Sequence, residues 1–180
     1  MIPELKVFLI AMSPFFELRG SIPAALTIYH IGIVESFIIS FFGNLVPAFF
    51  LLSFLGPVSR WLSRNFTVFK KFFSWFFRKT EKRHNSLIKK YGSIALVLFV
   101  AVPLPITGAW TGSVIAFLFN IPFKKAFPSI ALGVFIAGMI VTFTTMGSMA
   151  IESYFGWPAL LGILLLMGIV LLIKAKKKKL

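Results

Sequence analysis

Glu17 and Arg19 stand two residues apart in "SPFFELRGSIP" (13–23), framed by Pro14 and Pro23 inside an otherwise apolar N-terminal segment. An apolar span ordinarily excludes both charges, because a charged side chain at the centre of a membrane helix costs about 2.5–3.5 kcal/mol on insertion scales. Where such residues persist they face a protein-lined or watery cavity and serve ion, proton or substrate handling. A carboxylate there can exchange a proton or hold a cation, and a guanidinium can hold a phosphate. The bland alternative is a pair that satisfies itself or reaches to the interface. Two residues apart on a helix they do not share a face, although on a turn they could still pair.

A second tip, "PLPITGAWTGS" (103–113), is uncharged but rich in groups that could contact a ligand. Thr107, Thr111 and Ser113 supply hydroxyls, Trp110 an indole N–H, and Gly108 and Gly112 allow close backbone approach. Gly20 and Ser21 play the same part in the first tip. Helices starting near Gly20 and Gly112 would point backbone N–H groups at an anion. Pro14, Pro23, Pro103 and Pro105 are the expected helix breaks. Irregular backbone at membrane depth is tolerated only where it is buried in protein or lines a cavity, so both tips belong inside one.

The elements that position these tips follow from composition. Of 180 residues 58% are hydrophobic and 13% charged, 23 are Phe, and mean hydropathy is +0.93. Soluble domains carry about a quarter charged residues, so the chain reads as an all-α integral membrane protein. It has no Cys and no Asp; its acids are Glu4, Glu17, Glu35, Glu81 and Glu152, and its histidines His30 and His84. Disulfides and thiolate chemistry are excluded, and no metal site or cofactor is expected. An enzyme is not expected either, since Glu17 has only Ser13 or Ser21 nearby as a nucleophile and no acid–His pair shares its depth. The net charge of +14 is read as lipid-headgroup attraction, and nucleic acid is not expected as a partner.

Four apolar regions are visible: Leu5 to His30, Ile31 to Leu55, Tyr91 to Ile121, and Ser129 to Ile151 followed by Ala159 to Ile173. Between the second and third, Leu62, Phe66, Phe69, Phe73 and Phe76 make one helical stripe, with Arg64, Lys71 and Arg78 recurring every seven residues opposite. That pattern predicts a basic amphipathic helix lying in the membrane interface within 57–90. Most of the 19 basic residues lie between Arg60 and Lys125 and five more form the tail "KAKKKK", so linker and tail are expected on the cytoplasmic side. Lys124 and Lys125 stay on that side only if 91–121 enters and returns as a re-entrant hairpin. "GSIPAAL" (20–26) aligns with "GSVIAFL" (112–118), each after a proline-containing break and before a long apolar span. Two inverted repeats are therefore expected, 3–55 and 91–151, each a re-entrant hairpin plus a transmembrane helix, with a final span and Lys-rich tail in 158–180. Asn44 reads as a helix–helix hydrogen-bonding residue, and Gly133 with Ala137 as a close-packing pair.

"ELRGSIP" and "PLPITGAWTGSVIA" resemble the small multi-drug export proteins, a branch of the DedA-like superfamily of re-entrant-hairpin membrane proteins. The resemblance extends to about Ile151. It implies an inverted-repeat transporter fold with Glu17 and Arg19 as the working pair. It also implies, from DedA-like relatives, recycling of polyprenyl phosphate carriers or lipid scrambling that depends on the proton gradient. Those relatives often carry further charges at the second tip, and this chain does not.

Three functions follow as expectations. The leading one is a plasma-membrane transporter or flippase of a lipid-linked anion such as a polyprenyl phosphate, ion- or proton-coupled, with the head group between the two tips. The alternative is a proton-coupled exporter of lipophilic cations, with Phe15, Phe16 and Trp110 stacking on the cargo beside Glu17. A membrane scaffold is the third, and would tolerate loss of Glu17 and Arg19. Membrane lipids are the expected partners, with anionic head groups at the basic helix and tail; a homo-oligomer is left open.

Overall fold

Pro3 at the start of α1 (Pro3–Met12) fixes a helical φ where its missing N–H is not needed, and Glu4 favours the positive end of the helix dipole. The helix stops because Pro14 pushes the residue before it out of the helical region: Ser13 is extended, at φ −67° and ψ 138°. After a four-residue turn the chain enters α2 (Glu17–Thr27), which contains Pro23, and then α3 (Ile33–Asn65). The structure, a computed structural model, describes residues 2–65, 91–104 and 107–155. Beyond α3 come α4 (Tyr91–Ala101), α5 (Ala109–Leu118) and α6 (Phe123–Phe155). Among the described residues all six elements are helices and there is no strand.

Two of the helices are long and apolar enough to cross a membrane: Ile33–Ser59 within α3 and Phe123–Ala150 within α6, each with mean hydropathy 2.1. α1, α2, α4 and α5 are 10 or 11 residues long, about 15 Å at 1.5 Å per residue and half of a 30 Å hydrocarbon layer. The starts of α3 and α6, and the turns before them, lie 90 residues apart. α3 and α6 start at 33 and 123, and left-handed residues precede them at His30 (φ 51°) and Asn120 (φ 54°). Both turns close by reaching back to the preceding helix, Ile31 N–H to the Ala25 carbonyl and Ile121 N–H to that of Ala116, each at 2.9 Å.

Residues 1–142 form one packed unit. In it α1, α2 and α3 pack pairwise, and α5 packs on α3. Its main apolar cluster joins Leu18, Ile22 and Leu26 of α2 to Leu96 and Val100 of α4 and to Ile130 and Val134 of α6. Edge-to-face rings bind α3 to α6: Phe37 with Phe135 at 5.4 Å, and Phe49 with Phe123 and Phe127 at 5.7 and 5.9 Å. Each such pair contributes about 0.5–1.5 kcal/mol beyond its buried area. Glycines let helices touch in both halves. A Cβ on Gly43 would lie 2.8 Å from Ala11 Cβ of α1, and one on Gly133 would lie 2.7 Å from Val100 Cβ of α4. Outward-facing Ile38, Phe42, Phe50 and Phe54 line one side of α3, and Leu132 and Met139 are exposed on α6. An apolar surface of this extent suits lipid rather than water. The second unit, from Phe143, is described to Phe155 and holds the helical end of α6, where Ser148 donates to the Thr144 carbonyl at 2.9 Å.

Several expected boundaries move. Pro23 does not break the chain: α2 runs through it, and the break lies wholly in Ser13–Phe16. Interior prolines are tolerated in membrane helices because neighbouring groups re-satisfy the freed carbonyl. α3 likewise continues past Gly56 and Pro57 to Asn65, so the first residues of the expected linker helix belong to α3. α6 starts at Phe123, which places Lys124 and Lys125 in its first turn, and it runs beyond Ile151 to Phe155. The interfacial stripe from Phe66 to Phe76, Lys71 and Arg78, the span Ala159–Ile173, the Lys-rich tail and Pro105 lie outside the described residues.

Gly133→Ala and Gly147→Ala gain the same helix propensity, but only the first must displace Val100, since a Cβ on Gly147 meets nothing within 4 Å. Thermal unfolding in detergent is expected to show Gly147→Ala at or above the wild-type midpoint and Gly133→Ala a few degrees below it, from about 1–3 kcal/mol of overpacking.

Candidate functional site

Glu17 opens α2 with a left-handed backbone, φ 47°, a conformation that costs a side-chain-bearing residue about 1–2 kcal/mol. The turn holds it there: Glu17 N–H bonds the Ser13 carbonyl at 3.2 Å and Gly20 N–H that of Phe16 at 2.9 Å. A Cβ on Gly20 would come within 2.8 Å of Phe16 Cβ, so its role is to let that turn close. The result is that the Glu17 side chain leaves α2 toward the second tip, with the residue only 7% exposed.

There it meets the start of α5. Trp110 N–H donates to Glu17 Oε1 at 3.4 Å and the Ala109 N–H also faces the carboxylate. Gly108 lies beneath it, so close that a Cβ at that position would overlap the carboxylate itself. The free N–H groups and positive dipole of a helix N-terminus are a ready anion seat, and here the protein's own carboxylate occupies it.

Arg19 completes the junction. Its guanidinium lies 3.9 Å from Glu17 Oε2, donates through Nη1 to the Leu104 carbonyl, and donates through Nη2 to Thr107 Oγ1 at 3.1 Å. Thr107 Oγ1 also accepts from the Leu104 N–H at 3.1 Å, and its own proton lies between the carbonyls of Val102 (2.7 Å) and Leu104 (2.8 Å). The indole N–H of Trp110 reaches back to the Met12 carbonyl at 3.1 Å, at the open end of α1. Met12, Glu17 and Arg19 are thus tied to Leu104, Thr107, Ala109 and Trp110 by contacts in both directions.

Of the residues expected at the site, Glu17, Arg19, Thr107 and Trp110 converge. Others do not present ligand groups there. Gly112 packs against Val100, where a Cβ would lie 2.7 Å from its Cγ2. Ser113 is buried and donates to the Ala109 carbonyl at 2.7 Å, and Thr111 to that of Gly108 at 3.4 Å. Ser21 is fully buried with its hydroxyl unpartnered. The helices start at Glu17 and Ala109 rather than near Gly20 and Gly112, which turns Gly112 and Ser113 into second-turn packing residues. Pro14 sits in the first turn and Pro103 between α4 and Leu104. The Leu104 and Met12 carbonyls were not expected, since backbone acceptors carry no signature in residue type, whereas Gly108 supplies the close approach expected of the second tip. Asn44, read as a helix–helix hydrogen-bonding residue, is buried with Oδ1 unpartnered. Among the described residues no three His, Asp or Glu side chains gather as a metal-binding group.

A family model described as "Putative small multi-drug export protein" matches residues 17–140, a stretch that takes in the first tip from Glu17 onward and the whole of the second. No curated protein and no solved structure matches the chain.

Thr107→Val removes a hydroxyl that bonds four groups and leaves the Arg19 donor and the Leu104 N–H without it. It is expected to lower stability by about 1–3 kcal/mol in detergent unfolding, whereas Thr111→Val, which loses one long bond, is expected to stay within about 0.5 kcal/mol of wild type.

Proposed function

The chain belongs to the small multi-drug export family, and on that premise we propose that it is a membrane exporter whose cargo is an anionic amphiphile, a lipid-linked phosphate fitting best. The observation that carries this reading is which charge can be reached. The Arg19 side chain is 25% exposed and Glu17 only 9%, so an incoming solute meets the guanidinium first. A guanidinium has five donors in a fork suited to phosphate, and the hydrogen bonds of Arg19 to Leu104 and Thr107 occupy two of them. A phosphate drawn to Arg19 would compete with Glu17 for the N–H groups of Ala109 and Trp110, and release of Glu17 would free it to take up a proton. Substrate and proton thereby alternate at one place. The lipid tail remains in the apolar surroundings. A groove of about 240 Å³ lined by Ala95, Phe99, Ile115 and Phe119, between α4 and α5, is of a size for part of a hydrocarbon chain.

The architecture in this reading is a pair of inverted repeats of the DedA-like kind, 3–55 and 91–151. α1–α2 and α4–α5 enter the bilayer and return, and α3 and α6 span it. The 90-residue offset and the half-membrane length of the short helices support it. The protein is placed in the plasma membrane with its basic linker and tail cytoplasmic, facing anionic head groups. It works as a transporter and not as an enzyme.

A second reading, export of lipophilic cations, draws on the family's description and on Phe15 and Phe16, exposed at 90% and 58% beside the Glu17 turn. Against it, Arg19 stands between such a cation and the carboxylate.

Thermal stabilisation of the purified protein separates the two, because a ligand bound only to the folded state contributes about 2.7 kcal/mol at a hundredfold excess over Kd. A polyprenyl phosphate is expected to raise Tm by several degrees in wild type and to have no effect on Arg19→Ala. A lipophilic cation that stabilises wild type but not Glu17→Gln, with no response to the phosphate lipid, would establish the second reading instead.

A further inference from the structure

A second interior lies apart from the tips. Val7 and Ala11 of α1 and Ala25 of α2 are fully buried, yet they stand outside the main apolar cluster. α1, α2 and α3 pack on one another pairwise, and Gly43 of α3 approaches Phe8 and Ala11 of α1 closely. Small side chains therefore bring three helices together, and on α3 this face carries polar groups: Ser36, Ser40 and Asn44 recur one turn apart, at 0, 0 and 1% exposure.

Elsewhere in the chain hydroxyls in helices are satisfied by their own backbone. Thr27, Ser113, Ser129, Thr142 and Ser148 each donate to the carbonyl four residues earlier, at 2.7–2.9 Å. Ser21 Oγ and Ser40 Oγ make no such bond and have no other partner, and neither does Asn44 Oδ1. A buried polar atom without a partner loses about 1–3 kcal/mol of solvation, so three of them on two packed helices call for a common ligand. Pro47 adds an oxygen: lacking an N–H, it leaves the carbonyl of Gly43, next to Asn44, without its helical donor.

We propose that Ser21 Oγ, Ser40 Oγ and Asn44 Oδ1, together with the Gly43 carbonyl, bind one monovalent metal cation of the sodium class. The donor set is oxygen throughout, as hard cations require, and it holds no carboxylate, which disfavours a divalent ion in a low-dielectric interior. Carbonyls freed at helix irregularities are a recurring element of sodium sites in transporters. Ser21 is one turn along α2 from Glu17, so occupancy bears on the helix that carries the tip. The site does not depend on whether the cargo is anionic or cationic.

The test is thermal unfolding of the purified full chain in detergent, titrated with NaCl, KCl or choline chloride at constant ionic strength. Sodium is expected to raise Tm saturably and more than potassium, with choline inert. Ser40→Ala and Asn44→Ala, checked for native helicity by circular dichroism, are expected to lose the sodium-dependent rise. Asn44→Asp keeps the shape and adds a charge, and is expected to lower the half-saturating sodium concentration at least several-fold. An equal response to all three salts, a sodium response that survives in both alanine variants, or an Asn44→Asp half-saturation equal to wild type would overturn the proposal and leave buried water as the partner of these groups.

Discussion

A carboxylate cannot remain at the middle of an apolar protein unless donors surround it, and Glu17 finds them on the start of α5 and on its neighbour Arg19. The N–H groups of Ala109 and Trp110 and the guanidinium of Arg19 take the place of water. Because those N–H groups belong to the first turn of α5, the second tip must sit against the first for either to be satisfied. Arg19 adds the reverse constraint, since its fork closes on Leu104 and Thr107. The left-handed backbone at Glu17 and the absence of a side chain at Gly108 are the local conditions for this contact.

A junction built this way joins the halves without filling their interface with apolar bulk. Apart from the buried polar groups of Ser21, Ser40 and Asn44, the apolar contacts of the first unit are ordinary packing: small residues where helices touch, and Phe rings where α3 meets α6. Such packing is indifferent to charge and solute. The tips are different, because their hydrogen bonds can be exchanged for equivalent bonds to a ligand. On the proposed reading that exchange is the transport event, with Glu17 acting as the internal anion that holds the seat between cargoes.

Part of this was readable from residue types. Charges in an apolar chain are rare enough to mark Glu17 and Arg19, and the prolines and glycines around Thr107 and Trp110 marked the second tip. "GSIPAAL" and "GSVIAFL" fall on α2 and α5, two short helices of similar length, although in the fold Gly112 and Ser113 are packing residues. What was not readable was where the helices begin. Ser13 ends α1 because Pro14 follows, a purely local rule, whereas α2 runs through Pro23 and α3 through Pro57. Tertiary neighbours decide whether an interior proline breaks a helix, and no single position reports them. For the same reason an anion seat on α5 could be anticipated but its occupant could not, since that depends on which side chain the fold delivers there. Asn44 reads from the sequence as a helix–helix hydrogen-bonding residue and Ser40 carries no signal there; only the fold places their unpartnered oxygens in a buried interior.

The contact between Glu17 and Gly108 can be tested by size. Gly108 is in an extended conformation (φ 162°) open to any residue, so replacing it with alanine meets no backbone strain and only the Glu17 carboxylate in the way. Thermal unfolding of Gly108→Ala should therefore show a clear loss of stability in the wild-type background and little or none in the Glu17→Ala background, a non-additivity of at least about 0.5 kcal/mol. An equal loss in both backgrounds would mean that the two tips do not meet through Glu17.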